Sequence, residues 1–173
     1  IPTAMSSTTS ILRTAPAAAA TATTLSLLQR VLATTDRAAP LIARLTLGLV
    51  MFPHGAQKAL GWFGGYGYSG TMGFFTGTMH IPAVFAFLAI AAEFAGSIAL
   101  VFGALSRVAA LGIASVMAVA IATTHASQGF FMNWTGAQKG EGFEYHLLVL
   151  GLALIVLVWG GGKASVDGRL ARK

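Results

Sequence analysis

The sequence contains no cysteine. That excludes disulfides, thiolate metal sites, covalent c-type haem attachment and dithiol redox chemistry carried by this chain itself. Charge is scarce too: Asp, Glu, Lys and Arg make up 9% of 173 residues, and only 5 residues are acidic. A chain so poor in charge, 55% apolar and with a mean hydropathy of +0.75, is neither a disordered segment nor an ordinary soluble domain. If it handles electrons, a bound molecule or a partner must carry them.

What the sequence has in abundance is apolar length. Four runs stand out, at 41–62, 82–104, 108–126 and 145–161. A bilayer core of about 30 Å is spanned by roughly 20 such residues as a helix. Lipid offers no partner to exposed backbone groups, so the runs predict helices. The fold class expected is all-α, an integral membrane four-helix transmembrane bundle over 40–161. A flexible N-terminal tail (1–39) precedes it and a basic tail (162–173) follows.

The net charge of +6 would suggest nucleic acid in a soluble protein. The placement of the charges argues otherwise. Arg13, Arg30, Arg37 and Arg44 precede or open the first run, Arg107 sits between the second and third, and Lys163, Arg169, Arg172 and Lys173 follow the fourth. With four crossings all of these share one side, leaving Lys58 and Lys139 toward the other. The positive-inside rule then places both termini in the cytoplasm. The expected partners are the lipid bilayer, together with other membrane subunits or further copies of the chain, and no nucleic acid.

Within the N-terminal tail, the Ala/Thr run from Ala15 to Thr24 cannot bury a core. Met5 is a natural start, which would make Ile1 to Ala4 foreign to the native chain. Leu25, Leu28 and Leu32 then fall on one helical face, away from Arg30 and Arg37, predicting a short amphipathic helix on the membrane surface.

Small residues four apart predict how the spans pack: Ala91, Ala95 and Ala99, with Ala92 and Gly96 beside them, in span two, and Ala110, Ala114, Ala118 and Ala122 in span three. The short link 103–107 makes spans two and three an antiparallel hairpin. The two longer links, Gly61–Ile81 and Ser127–Phe143, are rich in aromatics suited to headgroup depth. The stretch Gly65-Tyr66-Gly67-Tyr68-Ser69-Gly70 matches a dinucleotide-binding fingerprint, but it follows a membrane span rather than a strand and carries no such meaning. The sequon Asn133-Trp134-Thr135 matters only in a eukaryotic secretory setting.

Ionisable residues at membrane depth are costly and face a bundle interior or a cavity. Span one carries His54, Gln57 and Lys58 at helical spacing after Pro53, where a kink is expected; span two carries Glu93. His125 closes span three, and Glu144 and His146 open span four. At about 1.5 Å per residue, Glu93 lies roughly 16 Å from the outer boundary, His54 about 12 Å and Lys58 about 6 Å. All four helices therefore send polar groups to the outer half, while the inner half of spans two to four holds nothing ionisable. One reading is a buried Lys58–Glu93 pair that sets helix register. A second is a pocket for a quinone or similar amphipathic molecule, with His54 and Glu93 as proton-exchanging groups. No histidine spacing matches a metal or haem motif, which disfavours haem and assigns no metal site. A proton or solute pathway lacks an inner relay and an inverted repeat.

The segments Arg44-Leu45-Thr46-Leu47-Gly48, His54-Gly55-Ala56-Gln57-Lys58 and Gly61-Trp62-Phe63-Gly64-Gly65 resemble the first span and loop of the DoxX family. The resemblance continues through Glu93, Gly96, Gly103, Arg107, Gly129-Phe130-Phe131 and Glu144-Tyr145. It implies a four-span protein of the bacterial cytoplasmic (inner) membrane, in a family linked to quinol oxidation and oxidative-stress complexes. It carries over His54, Gln57, Lys58, Glu93 and Glu144 as family-like polar residues, whereas His125 and His146 rest on position alone. In a quinone pocket, His54 or Glu93 would exchange the proton, Gln57 orient the head and Lys58 stabilise its anionic form. The alternative is a structural subunit that packs into a larger membrane complex.

Overall fold

The computed structural model describes residues 26–172. The expectations for residues 1–25, including the Met5 start, the Ala/Thr run and Leu25, lie outside the described residues.

Among the described residues every regular element is helical. Helix α1 (Leu27–Leu32) is short, and α2 (Ala38–Leu60) is the first long helix. A single turn of 3-10 helix and α3 (Gly67–Gly73), prolonged by a π turn over Phe74–Thr78, lead to α4 (Ala83–Phe102). Helix α5 (Ser106–Ala120) continues through a π turn at Ile121–His125 and a 3-10 turn at Ala126–Gln128. Helix α6 (Glu144–Trp159) and the short α7 (Val166–Leu170) complete the chain. The long helices begin and end within a few residues of the apolar runs, because those runs are what lipid demands. Three of them are long and apolar enough to cross a membrane; the fourth, α6, is apolar but 16 residues long. Helix α2 runs unbroken through Pro53.

The four long helices alternate in direction and pack in the cyclic order α2, α4, α5, α6. The result is an integral membrane four-helix bundle. Large apolar side chains such as Leu49, Phe87, Leu111 and Leu154 point outward on all four, which suits lipid rather than water.

Helices α2 and α4 make the closest approach. Gly48 and Gly55 lie two turns apart on one face of α2. A Cβ on Gly48 would stand 2.8 Å from the Ser97 carbonyl oxygen, and one on Gly55 would stand 2.6 Å from that of Glu93. Backbone meets backbone here, as small residues permit. The α4–α5 contact uses Ala92 and Gly96 against Gly112 and Ala109. Part of the alanine pattern behaves differently: Ala110 is buried and Ala114 packs against the core, whereas Ala118 and Ala122 face outward.

The N-terminal helix is shorter than its leucine pattern suggests. Ser26 and Gln29 form a capping box at its start. It stops at Ala33 because the next residues are drawn onto the end of α6, where Thr35 N–H donates to the Trp159 carbonyl (3.1 Å).

Arg44, read from sequence as one of the charges that open the first span, is instead 2% exposed. Its guanidinium donates to the carbonyls of Leu100 (2.9 Å) and Val101 (2.6 Å) at the end of α4, and to Gly161 (2.7 Å), Ala164 (3.2 Å) and Lys163 (3.4 Å) after α6. The last carbonyls of a helix lack intrahelical partners, and Arg44 supplies a donor to Val101 and a second one to Leu100, which also accepts from Gly103 N–H (3.1 Å). Arg107 does the same for α6, donating to Leu157 and Val158 and, from its other edge, to Ala33.

The expected C-terminal tail folds back onto this end of the bundle. Asp167, also 2% exposed, accepts from the N–H groups of Leu105 (2.7 Å) and Ser106 (2.8 Å). It thereby caps α5 from 60 residues away in sequence, roughly, where no local side chain does so. Replacing Asp167 with Ala strands both donors and is expected to cost about 2 kcal/mol. Asp167→Asn, which keeps an acceptor, should recover part of that loss in thermal unfolding of the detergent-solubilised protein.

Candidate functional site

The two ends of the bundle differ in kind. In the half nearer the α4–α5 hairpin, Leu47, Leu100, Ile113, Ala153 and Val156 fill the centre completely. That core ends at a layer formed by Met51, Met117 and Val149. Beyond it, toward the long loops, lies the inner part of a half-open cavity between α4 and α5, about 1070 Å³ in all, that reaches inward to α2 and α6. Five of the seven candidate residues line it: His54, Lys58, Glu93, His125 and His146.

Glu93 is 3% exposed and accepts from Lys58 Nζ at 2.5 Å. The ion pair follows from the backbone approach at Gly55: with α2 pressed against Glu93, Lys58 one turn later reaches the carboxylate directly. A carboxylate at this depth needs such a partner. His54 lies on the same stretch of α2 and faces the open side of the cavity.

On the opposite wall, the rings of His125 and His146 stand 4.1 Å apart. The π turn at the end of α5 shifts the helical phase and turns His125 toward α6. His125 Nδ1 is 2.8 Å from the Glu141 carbonyl oxygen, which can only accept. His125 therefore carries its proton on Nδ1 when neutral, leaving Nε2 as an open acceptor. His146 is buried, and its Nδ1 has no hydrogen-bond partner.

Two candidates lie outside the cavity. Gln57 turns away and donates to the Phe63 carbonyl at 3.3 Å, bracing the loop that follows α2. Glu144 points into the second loop, accepting from Met132 N–H (3.0 Å) and Trp134 Nε1–H (3.3 Å). Helical spacing therefore did not bring these three residues of α2 to one site: Gln57 lies about 100° round the helix from Lys58 and serves the loop.

Tyr145 was missed as a site residue. Its ring is 6.2 Å from His54 and 5.8 Å from His146, so it bridges the two walls. Its hydroxyl contacts only the Met51 sulfur, at 3.7 Å. The available signal was its place beside His146 at the start of an apolar run. Glu141, whose backbone holds His125, gave no signal in sequence.

Among the described residues, no group of three or more His, Asp or Glu is placed to hold a metal ion. The arrangement suits a different task. One end of an otherwise apolar cavity offers a carboxylate, an ammonium, three imidazoles and a phenol to something inserted between the helices.

Fold and site define a small helical membrane protein with an amphipathic cavity whose polar groups lie in one half of its bundle. The DoxX family model matches residues 39–126, just over half of the chain, and the chain belongs to the DoxX family. No curated protein and no solved structure matches it significantly.

Proposed function

We propose that this protein is a small subunit or accessory protein of a membrane redox system and that its cavity is a quinone or quinol site. The observation that carries the reading is the polarity of the cavity: polar groups from α2, α4, α5 and α6 gather at one end, and the remainder is hydrocarbon. A quinone has the same division between ring and chain.

The residues present fit such a head. His146 Nδ1 has no hydrogen-bond partner among the described residues and the Tyr145 hydroxyl meets the Met51 sulfur, and these two take the orienting role expected for Gln57. His54 stands on the open side and exchanges a proton with the ligand or with water. Glu93 is the second proton-exchanging group, with Lys58 paired to it at 2.5 Å. A bound quinol would supply two electrons and two protons. The electrons go to an acceptor in a partner subunit, and the protons leave through the loop end.

The same reading sets the orientation. Arg30, Arg37, Lys163, Arg169 and Arg172 cluster at the hairpin end, and the positive-inside rule supports a cytoplasmic hairpin end in a bacterial cell, with both termini on that side and the polar cluster in the outer half of the inner membrane.

Glu93→Gln removes the proton-accepting charge while keeping shape. It is expected to abolish quinol-dependent electron transfer in membranes where the variant is the sole copy, with helical content and elution volume unchanged. Unaltered electron transfer would remove Glu93 from this role. The outward-facing Ala118 and Ala122 favour a second reading, a structural subunit of a larger complex. In that case bulky residues at those two positions disrupt assembly and Glu93→Gln does not.

A further inference from the structure

The cavity does not stop at the polar cluster. It continues as a groove between α4 and α5, from Phe85 and Leu88 near the loops to Ala99 and Leu105 at the hairpin. From Phe85 to Ala99 the distance along α4 is about 21 Å, most of one bilayer leaflet and part of the next. Its floor is the close contact of Ala92 with Gly112, where an added Cβ would stand 3.0 Å from the neighbour. Its rim is exposed: Leu88, Ala95, Leu111 and Ser115 all open sideways, toward lipid.

The groove presents carbon almost throughout. Its hydroxyls are turned back on their own helix, Ser115 to the Leu111 carbonyl (2.9 Å) and Thr123 to that of Val119 (2.8 Å). Nothing polar below the head cluster is left to be satisfied, so the occupant of this part is a hydrocarbon.

We infer that the α4–α5 groove holds the long apolar chain of the ligand whose head the loop-end cluster binds. The site therefore takes a long-chain isoprenoid quinone, entering sideways from the bilayer, and Ala95 and Ser115 set the room available to its chain. This rests on the reading of the head site as a quinone site. The continuity of groove and head cluster in one cavity favours a lipid chain over a partner's helix.

The test uses the full chain in lipid nanodiscs and two probes with the same benzoquinone ring, one without a side chain and one with a long polyisoprenyl chain. Ala95→Phe and Ser115→Phe each fill the groove from an exposed position. Each is expected to weaken binding of the long-chain probe by about tenfold or more, leaving the chainless probe within about twofold. If both variants bind both probes like the parent, the chain lies elsewhere and the inference fails while the head site stands. If the parent binds neither probe, the quinone reading itself fails and takes the groove with it. A photo-crosslinking residue at position 115 provides a second measurement in native membranes. An adduct of quinone mass supports the assignment, and a protein adduct overturns it.

Discussion

Arg44→Gln is expected to destabilise the bundle by about 3–5 kcal/mol, enough to leave little folded protein after detergent extraction. The reason is the number of groups that one side chain satisfies. Five backbone carbonyls, from Leu100, Val101, Gly161, Lys163 and Ala164, face a single guanidinium that is almost wholly buried. Each carbonyl left unsatisfied costs about 1–3 kcal/mol where no water can replace the donor. Water reaches some of them once the side chain shortens, which keeps the total below the simple sum. Arg44→Lys retains the charge but offers one compact ammonium in place of a planar fork, and should recover less than half of the loss. Thermal unfolding followed by circular dichroism, with size-exclusion profiles of the same samples, measures both. A midpoint for Arg44→Gln equal to that of the parent would show that these carbonyls find other partners.

Gly55→Ala is the second large effect. A single methyl at this position would stand 2.5 Å from the Phe94 Cα and 2.6 Å from the Glu93 carbonyl carbon and oxygen, all of them backbone atoms that cannot swing aside. The helices must separate, at a cost of about 3 kcal/mol, the upper end of what overpacking usually exacts. The damage is also directional. Separation at Gly55 moves Lys58 away from Glu93, so the variant should lose the proposed quinone binding even under conditions where it remains helical. Gly151→Ala provides the control, since a Cβ there meets nothing within 4 Å, and it should be neutral or slightly stabilising. Equal behaviour of the two variants would mean that the α2–α4 contact does not govern the site.

These two positions show what was legible in advance. The helices were readable because the bilayer permits almost nothing else for runs of this length and composition, and each run lies within a few residues of a helix. The ion pair was readable as well, since Lys58 and Glu93 had few alternatives at their depth. Gly55 stands in the segment that resembles a family motif, yet its physical task, contact with the backbone of Glu93 and Phe94, depends on the rotation of α2 about its axis. That rotation is set by every contact along the helix together, and no local pattern encodes it.

The same limit explains the residues that were assigned elsewhere. Gln57 and Lys58 are neighbours in sequence and serve different structures, one the loop carbonyl of Phe63 and the other the cavity. Arg44 counted only as a charge opening the first span, because sequence position near the end of a span says nothing of the carbonyls converging there from α4 and the chain after α6. His125 and Glu141 meet through a π turn and a loop closure, neither of which has a periodic signature.

Composition and apolar length by themselves determined that this chain is an all-helical membrane bundle, because desolvating the backbone in lipid is costly wherever the helix fails. The positions of its charges were equally visible from sequence alone. Only the tertiary structure decided which polar groups share a cavity, which seal the opposite end, and that a groove continues from the cluster toward the hairpin. Those outcomes depend on helix phase and on contacts between residues 40 to more than 100 positions apart, roughly, where packing rather than local preference settles the geometry.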